Sequence, residues 1–124
     1  MNHSEFIKFE AGIDDFVGDL KSELKQNALQ LTKVSVPQCL ASYRVANTKC
    51  DAHLRLVLMG YPEGGAIARV SWLGVKGQER TCCYVNDVFE AVTLKANGRW
   101  AKSKRNPRES CMRELACLLE ERQR

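Results

Sequence analysis

Between residues 39 and 102 the chain is cut by turn residues into short segments that alternate apolar and polar side chains. That pattern demands antiparallel strands with one buried face, and it excludes a helical bundle. Cys39, Ala41, Tyr43 and Val45 alternate with Leu40, Ser42 and Arg44 after Pro37 breaks the preceding segment. Residues 47–51 read as a turn, and residues 53–59 as a second strand with Leu54, Leu56 and Leu58 on one face. The Tyr-Pro-Glu-Gly-Gly stretch at 61–65 is a loop. Residues 66–73 form a third strand, with Ala68, Val70 and Trp72 together, which pairs with 53–59 as a hairpin. Lys76-Gly77-Gln78 turns the chain into a fourth strand at 81–85.

Residues 87–96 fit two descriptions. Val88, Val92 and Leu94 alternate with Phe89, Ala91 and Thr93, and Asn97-Gly98 follows. Asn-Gly between alternating segments signals a hairpin, whose second arm is then residues 99–102. The same Asn-Gly could cap a short helix starting at Asn86. The hairpin is the preferred reading.

A helix brackets this sheet at each end. Over residues 11–30, Ile13, Phe16, Val17, Leu20 and Leu24 recur three and four apart, with Phe9 before them and Leu31 after. Asp14, Asp15 and Asp19 lie toward the start, as the helix macrodipole favours. His3 falls in a frayed terminus. The stripe suits a core, and a dimer interface along it is the alternative. At the other end Asn106 is an N-cap, Pro107 suits the first helical position, and Glu109 completes a capping box. Cys111, Met112, Leu115, Leu118 and Leu119 form its apolar stripe. The expected fold is therefore one α+β domain over residues 1–124: an N-terminal amphipathic helix, an antiparallel sheet of about four to six strands, and a C-terminal helix.

No apolar run approaches the ~18 residues of a membrane span, and the acidic N-terminus lacks a signal-peptide core. Six cysteines (Cys39, Cys50, Cys82, Cys83, Cys111 and Cys117) invite a disulfide reading. Against it stand the missing secretory signal, the place of Cys111 on an apolar stripe, and the adjacency of Cys82 and Cys83, which would point to opposite faces of a strand. Buried thiols in a reducing, cytoplasmic setting are expected instead. Cys50-x-x-His53 has a ligand-like spacing that Cys82 or Cys83 could complete as a zinc site. No second such pair exists, so no metal or other cofactor is expected, and the zinc question stays open. His53 reads as a structural strand histidine. Without a glycine-rich phosphate loop, a serine elbow or a His-Glu-x-x-His helix, the chain does not read as an enzyme.

Charge points to a different activity. The chain carries +4 overall, but residues 95–124 hold nine Lys/Arg against four Asp/Glu. Residues 95–108 contain Lys95, Arg99, Lys102, Lys104, Arg105 and Arg108 and no acid. Such a block attracts polyanions by counterion release. Ser103, Lys104, Arg105 and Arg108 also stand at the last helix's N-terminus, where unpaired N–H groups favour phosphate. Trp100, inside the basic strand, could stack on a base.

The stretch Ser103-Lys104-Arg105-x-x-Arg108-x-Ser110-Cys111-Met112-Arg113, ending in Leu118-Leu119, resembles the final helix of the double-stranded-RNA-binding domain. That family opens this helix with Ser-Lys-Lys and adds a basic residue one turn on. A strand, a turn and a strand precede it, as in the hairpin reading here. Tyr43-x-Val45 through Ala52-His53 resembles the family's first strand and groove-reading loop. The resemblance of the C-terminal segment spans about a quarter of the chain. It implies that Lys104, Arg105 and Arg108 hold phosphates across the major groove of A-form RNA. Arg99, Trp100, Lys102 and Arg113 complete the candidate interface. The expectation is a small nucleic-acid-binding accessory protein that favours duplex RNA, of the kind that suppresses host RNA-based defence in a virus or mobile element. The alternative is an inhibitor or adaptor that engages a host protein, or itself, through the N-terminal helix or a sheet edge.

Overall fold

The computed structural model describes residues 3–26, 29–37, 39–46, 51–60 and 66–123. Helix α1 spans His3–Gln26, and its stripe from Phe9 to Leu24 is buried. It starts and stops earlier than the periodicity over 11–30 suggests, and His3 is its first residue. Leu31 is not its last apolar residue. It opens β1, Leu31–Val34, where it is buried opposite Val45. Leu31 stands two helical turns after Leu24, in phase with the stripe, so periodicity alone assigns it to the helix. Beyond the end of α1, Leu29 N–H bonds to the Leu24 carbonyl at 2.9 Å, and pairing with β2 begins at Leu31.

The strands follow as β2 Ala41–Ala46, β3 Asp51–Gly60, β4 Ile67–Gly74, β5 Glu79–Val85, β6 Ala91–Leu94 and β7 Trp100–Lys102. They lie in sequence order in one seven-stranded antiparallel sheet, with β1 the strand added to the expected set. The hairpin read over 53–59 and 66–73 is present as β3–β4, with Leu54 opposite Trp72 and Leu56 opposite Val70. The turns read at 47–51 and 61–65 lie mostly outside the described residues; Asp51 itself opens β3.

Residues 91–102 form the hairpin and not the helix. Gly98 takes φ 81°, Lys95 N–H bonds to the Arg99 carbonyl at 2.8 Å, and the Asn97 side chain accepts from Arg99 N–H at 3.0 Å. Asn86 caps no helix. Its side-chain oxygen accepts from Glu90 N–H at 2.8 Å and from Val88 N–H at 3.2 Å, closing the β5–β6 turn. Phe89 in that turn sits at φ 62°, a left-handed conformation that disfavours a side chain. Its ring packs on Phe16 of α1 at 4.9 Å, and Gly12 leaves room for its Cβ.

Helix α2, Pro107–Gln123, lies beside α1 on one face of the sheet. Strand alternation directs Tyr43, Val45, Leu54, Leu56, Val70 and Trp72 into that layer. Trp72 is fully buried, and its indole N–H bonds to the Cys111 carbonyl of α2 at 2.8 Å. Arg80 of β5 bonds Glu114 of α2 at 3.0 Å, and Arg108 of α2 bonds Glu23 of α1. The register shifts between Val70 and Ser71 against β5. This β-bulge corrects the expectation for the adjacent cysteines. Cys83 stands opposite Val70 while Cys82 meets Cys111, so both thiols are buried beneath α2.

Trp72→Phe removes the indole hydrogen bond and part of the ring volume. It should lower unfolding free energy by about 2–3 kcal/mol in urea denaturation and speed amide exchange in α2 before the sheet.

Candidate nucleic-acid interface

The basic segment runs through β7 and the loop into α2. Ser103 N–H prolongs the sheet by bonding to the Ala91 carbonyl at 2.9 Å. The Ser103 hydroxyl accepts from Arg105 N–H at 3.2 Å, which folds the loop back on itself. The Asn106 side chain then accepts from Glu109 N–H at 3.1 Å, and its carbonyl from Ser110 N–H at 3.0 Å. This is the N-cap expected from the sequence, and it sets the start of α2 directly after Lys104 and Arg105.

The candidate residues divide by what they touch. Lys104 and Arg105 are exposed and have no carboxylate partner among the described residues. The same holds for Arg99 and Lys95, which flank the β6–β7 turn. At about 3.3 Å per residue, Arg99 and Lys104 stand up to roughly 16 Å apart along the strand. Arg113 is exposed on the outer side of α2. Lys102 bonds Glu90 at 3.0 Å across the surface, and together with Asn86 it draws the Glu90 carboxyl below its usual range. Arg108 is half-buried against Glu23 and fastens the two helices together. Trp100 is half-buried and packs on Tyr84 at 5.2 Å with a 53° tilt, so its ring braces the sheet edge. The second stretch of the resemblance is not brought to this corner. Tyr43 and Val45 are buried, residues 47–50 are outside the described set, and His53 lies in β3, four strands away from β7.

The thiols lie under this corner. Burial pushes Cys83 from its ordinary 9.0 up to about 12, with neighbouring Cys82 adding to the rise and Arg105 opposing it. Cys111 is raised as well, first by its hydrogen bond with Cys82 and then by burial. Cys39 and Cys117 are half-buried and free. His53 projects from the helix-free face, opposite to Cys82 and Cys83, so these three cannot share one zinc ion. Among the described residues no three His, Cys, Asp or Glu side chains converge, and Cys50 lies outside them.

Alternation carries a signal that the basic block overshadows. Every second residue of β2, β3 and β4 faces away from the helices, which gathers Arg44, His53, Arg55 and Arg69 on the open face. No family model matches the chain, and no curated protein or solved structure shows significant similarity to it. Among the described residues no helix is long and apolar enough to cross a membrane.

The native state holds the Cys83 proton more tightly than the unfolded chain does. Its contribution to stability is therefore complete below about pH 9 and is lost as pH rises toward 12. Denaturation midpoints should fall over that range, and Cys83→Ala should flatten the fall. A thiol reagent at neutral pH should modify Cys39 and Cys117 readily and reach Cys82, Cys83 and Cys111 only on unfolding.

Proposed function

We propose that this chain binds nucleic acid, with duplex RNA favoured, through phosphate contacts at the corner where the β6–β7 hairpin meets α2. One observation carries the reading. Lys95, Arg99, Lys104 and Arg105 are exposed without carboxylate partners among the described residues, and two of them immediately precede the capped start of a 17-residue helix. Cations left unpaired keep their full charge for phosphate, and the helix terminus adds partial positive charge in the same place. Two contact groups up to roughly 16 Å apart can reach separate phosphates of one duplex, which suits recognition of A-form RNA by shape. The resemblance of residues 103–119 to the last helix of the double-stranded-RNA-binding domain supports the same use of Lys104 and Arg105.

Within this reading Arg108 acts mainly on the fold, because Glu23 already neutralises it. Arg113 lies about two turns along the outer side of α2 and extends the basic surface. Trp100 supports the hairpin more than it stacks on a base. A small protein that covers duplex RNA would act as an accessory factor, withholding that RNA from host defence in a reducing compartment where its thiols stay free. The alternative, a protein adaptor, would use the exposed outer side of α1 or a sheet edge, because the α1 stripe is buried in the core.

Fluorescence anisotropy with labelled duplex RNA, single-stranded RNA and duplex DNA tests the proposal. Duplex RNA should bind tightest, and the charge reversal Lys104→Glu/Arg105→Glu should weaken it by about 30-fold or more without a change in melting temperature. Equal binding by the reversed variant would remove the site, and no binding by the unaltered protein would remove the function.

A further inference from the structure

The helix-free face of the sheet carries a second cationic feature of a different kind. Ser42, Arg55, Ser71 and Thr81 stand in direct register across β2, β3, β4 and β5. The serines are 2% and 3% exposed, sunk between longer neighbours. Arg44 is held by Asp51 through two bonds of 3.0 and 2.9 Å, and Arg69 reaches Glu79 at 3.2 Å. Arg55 alone of the three arginines has neither a carboxylate nor a hydrogen-bond partner among the described residues. Its Nε is fully buried and unpaired, and so are the Ser42 hydroxyl opposite it and the Nε of Arg69. Buried polar atoms are nearly always paired, so three orphans on one patch require an explanation.

A groove lies over that patch. One part, about 560 Å³, is lined by Arg44, His53, Arg55 and Leu73 with the loop after β1. It adjoins a part of about 430 Å³ that includes Ser42, and the two share residues 34–36. This is the size range of small-molecule sites. Val34, Val36, Leu73 and Val75 give it apolar walls. Among the described residues lining the larger part, the acid Asp51 is engaged by Arg44, and Arg55 has no carboxylate partner.

We infer that this groove binds a small organic oxyanion, with the anionic head on Arg55 and Ser42 and an apolar body against Val34, Val36 and Leu73. A guanidinium takes two oxygens of a phosphate or carboxylate at once. Such a ligand draws the Arg55 guanidinium off the sheet, gives its Nε an acceptor and opens the Ser42 hydroxyl to another oxygen. A polyanion does not suit this face, because Arg44, Arg69 and Lys102 are each matched by Asp51, Glu79 and Glu90. The inference does not rest on RNA binding at the α2 corner.

The test is a titration of the full chain, followed by amide and side-chain NMR shifts, with phenyl phosphate, benzoate and inorganic phosphate. Phenyl phosphate should saturate with a dissociation constant of about 1 mM or below, at least tenfold tighter than inorganic phosphate, with shifts centred on Ser42, Arg55 and Leu73. Benzoate stronger than phenyl phosphate would assign the head to a carboxylate, and the reverse to a phosphomonoester. Arg55→Gln should weaken the tighter probe about tenfold or more, and Arg55→Lys, which keeps the charge but not the fork, by a smaller factor. Lys104→Glu/Arg105→Glu should leave this binding intact, and Arg55→Gln should leave RNA affinity intact. Shifts centred on the α2 corner, no saturation by any probe, or unchanged binding in folded Arg55→Gln would each overturn the inference.

Discussion

The indole of Trp72 holds the two layers of this protein in place. It is buried at the centre of β4, faces Leu54 across the sheet, and donates to the Cys111 carbonyl of α2. A donor at that depth must find an acceptor, and here the helix supplies it. With α2 fixed there, Glu114 meets Arg80, Arg108 meets Glu23, and α1 is drawn alongside. Both helices then cover one face of the sheet, the basic loop is held at its corner, and among the described residues the other face carries no helix.

Pairing separates the cations by role. Arg80 and Arg108 join secondary-structure elements, and Arg44, Arg69 and Lys102 are matched on the open face. Lys95, Arg99, Lys104 and Arg105 have no such partners among the described residues and cluster at one end of the molecule. Arg55 has none either, and it lies on the other face, in a groove beside the Asp51-paired Arg44 and apolar walls. A cluster of free charges suits a polyanion, and a single one beside apolar surface suits a small ligand. The two proposals therefore concern separate surfaces that answer to separate substitutions.

Most of the architecture was legible because it rests on local rules. Alternation from Cys39 to Val45 and from Leu54 to Leu58, the Asn97-Gly98 turn and the Asn106 cap all express preferences of a few neighbouring residues. What escaped depends on pairs distant in sequence. Leu31 fits the helix period and the β1 pairing equally well, and only its partner Val45 decides. The bulge that turns Cys82 and Cys83 to the same side is a property of β4 and β5 together. Within the basic block, nothing local distinguishes Arg108 from Arg105. Glu23, far upstream on α1, withdraws one and leaves the other. The row of Ser42, Arg55 and Ser71 likewise exists only once three strands are in register.

The most direct test of this division of charge is the salt dependence of duplex-RNA affinity, measured as the slope of log K against log salt concentration. Four phosphate contacts correspond to a slope of about −3 to −4. Replacing Lys104 and Arg105 by Ala should reduce its magnitude by roughly 2, while replacing the Glu90-paired Lys102 should change it little. A slope near zero, or one that responds to Lys102 and not to Lys104 and Arg105, would contradict the account.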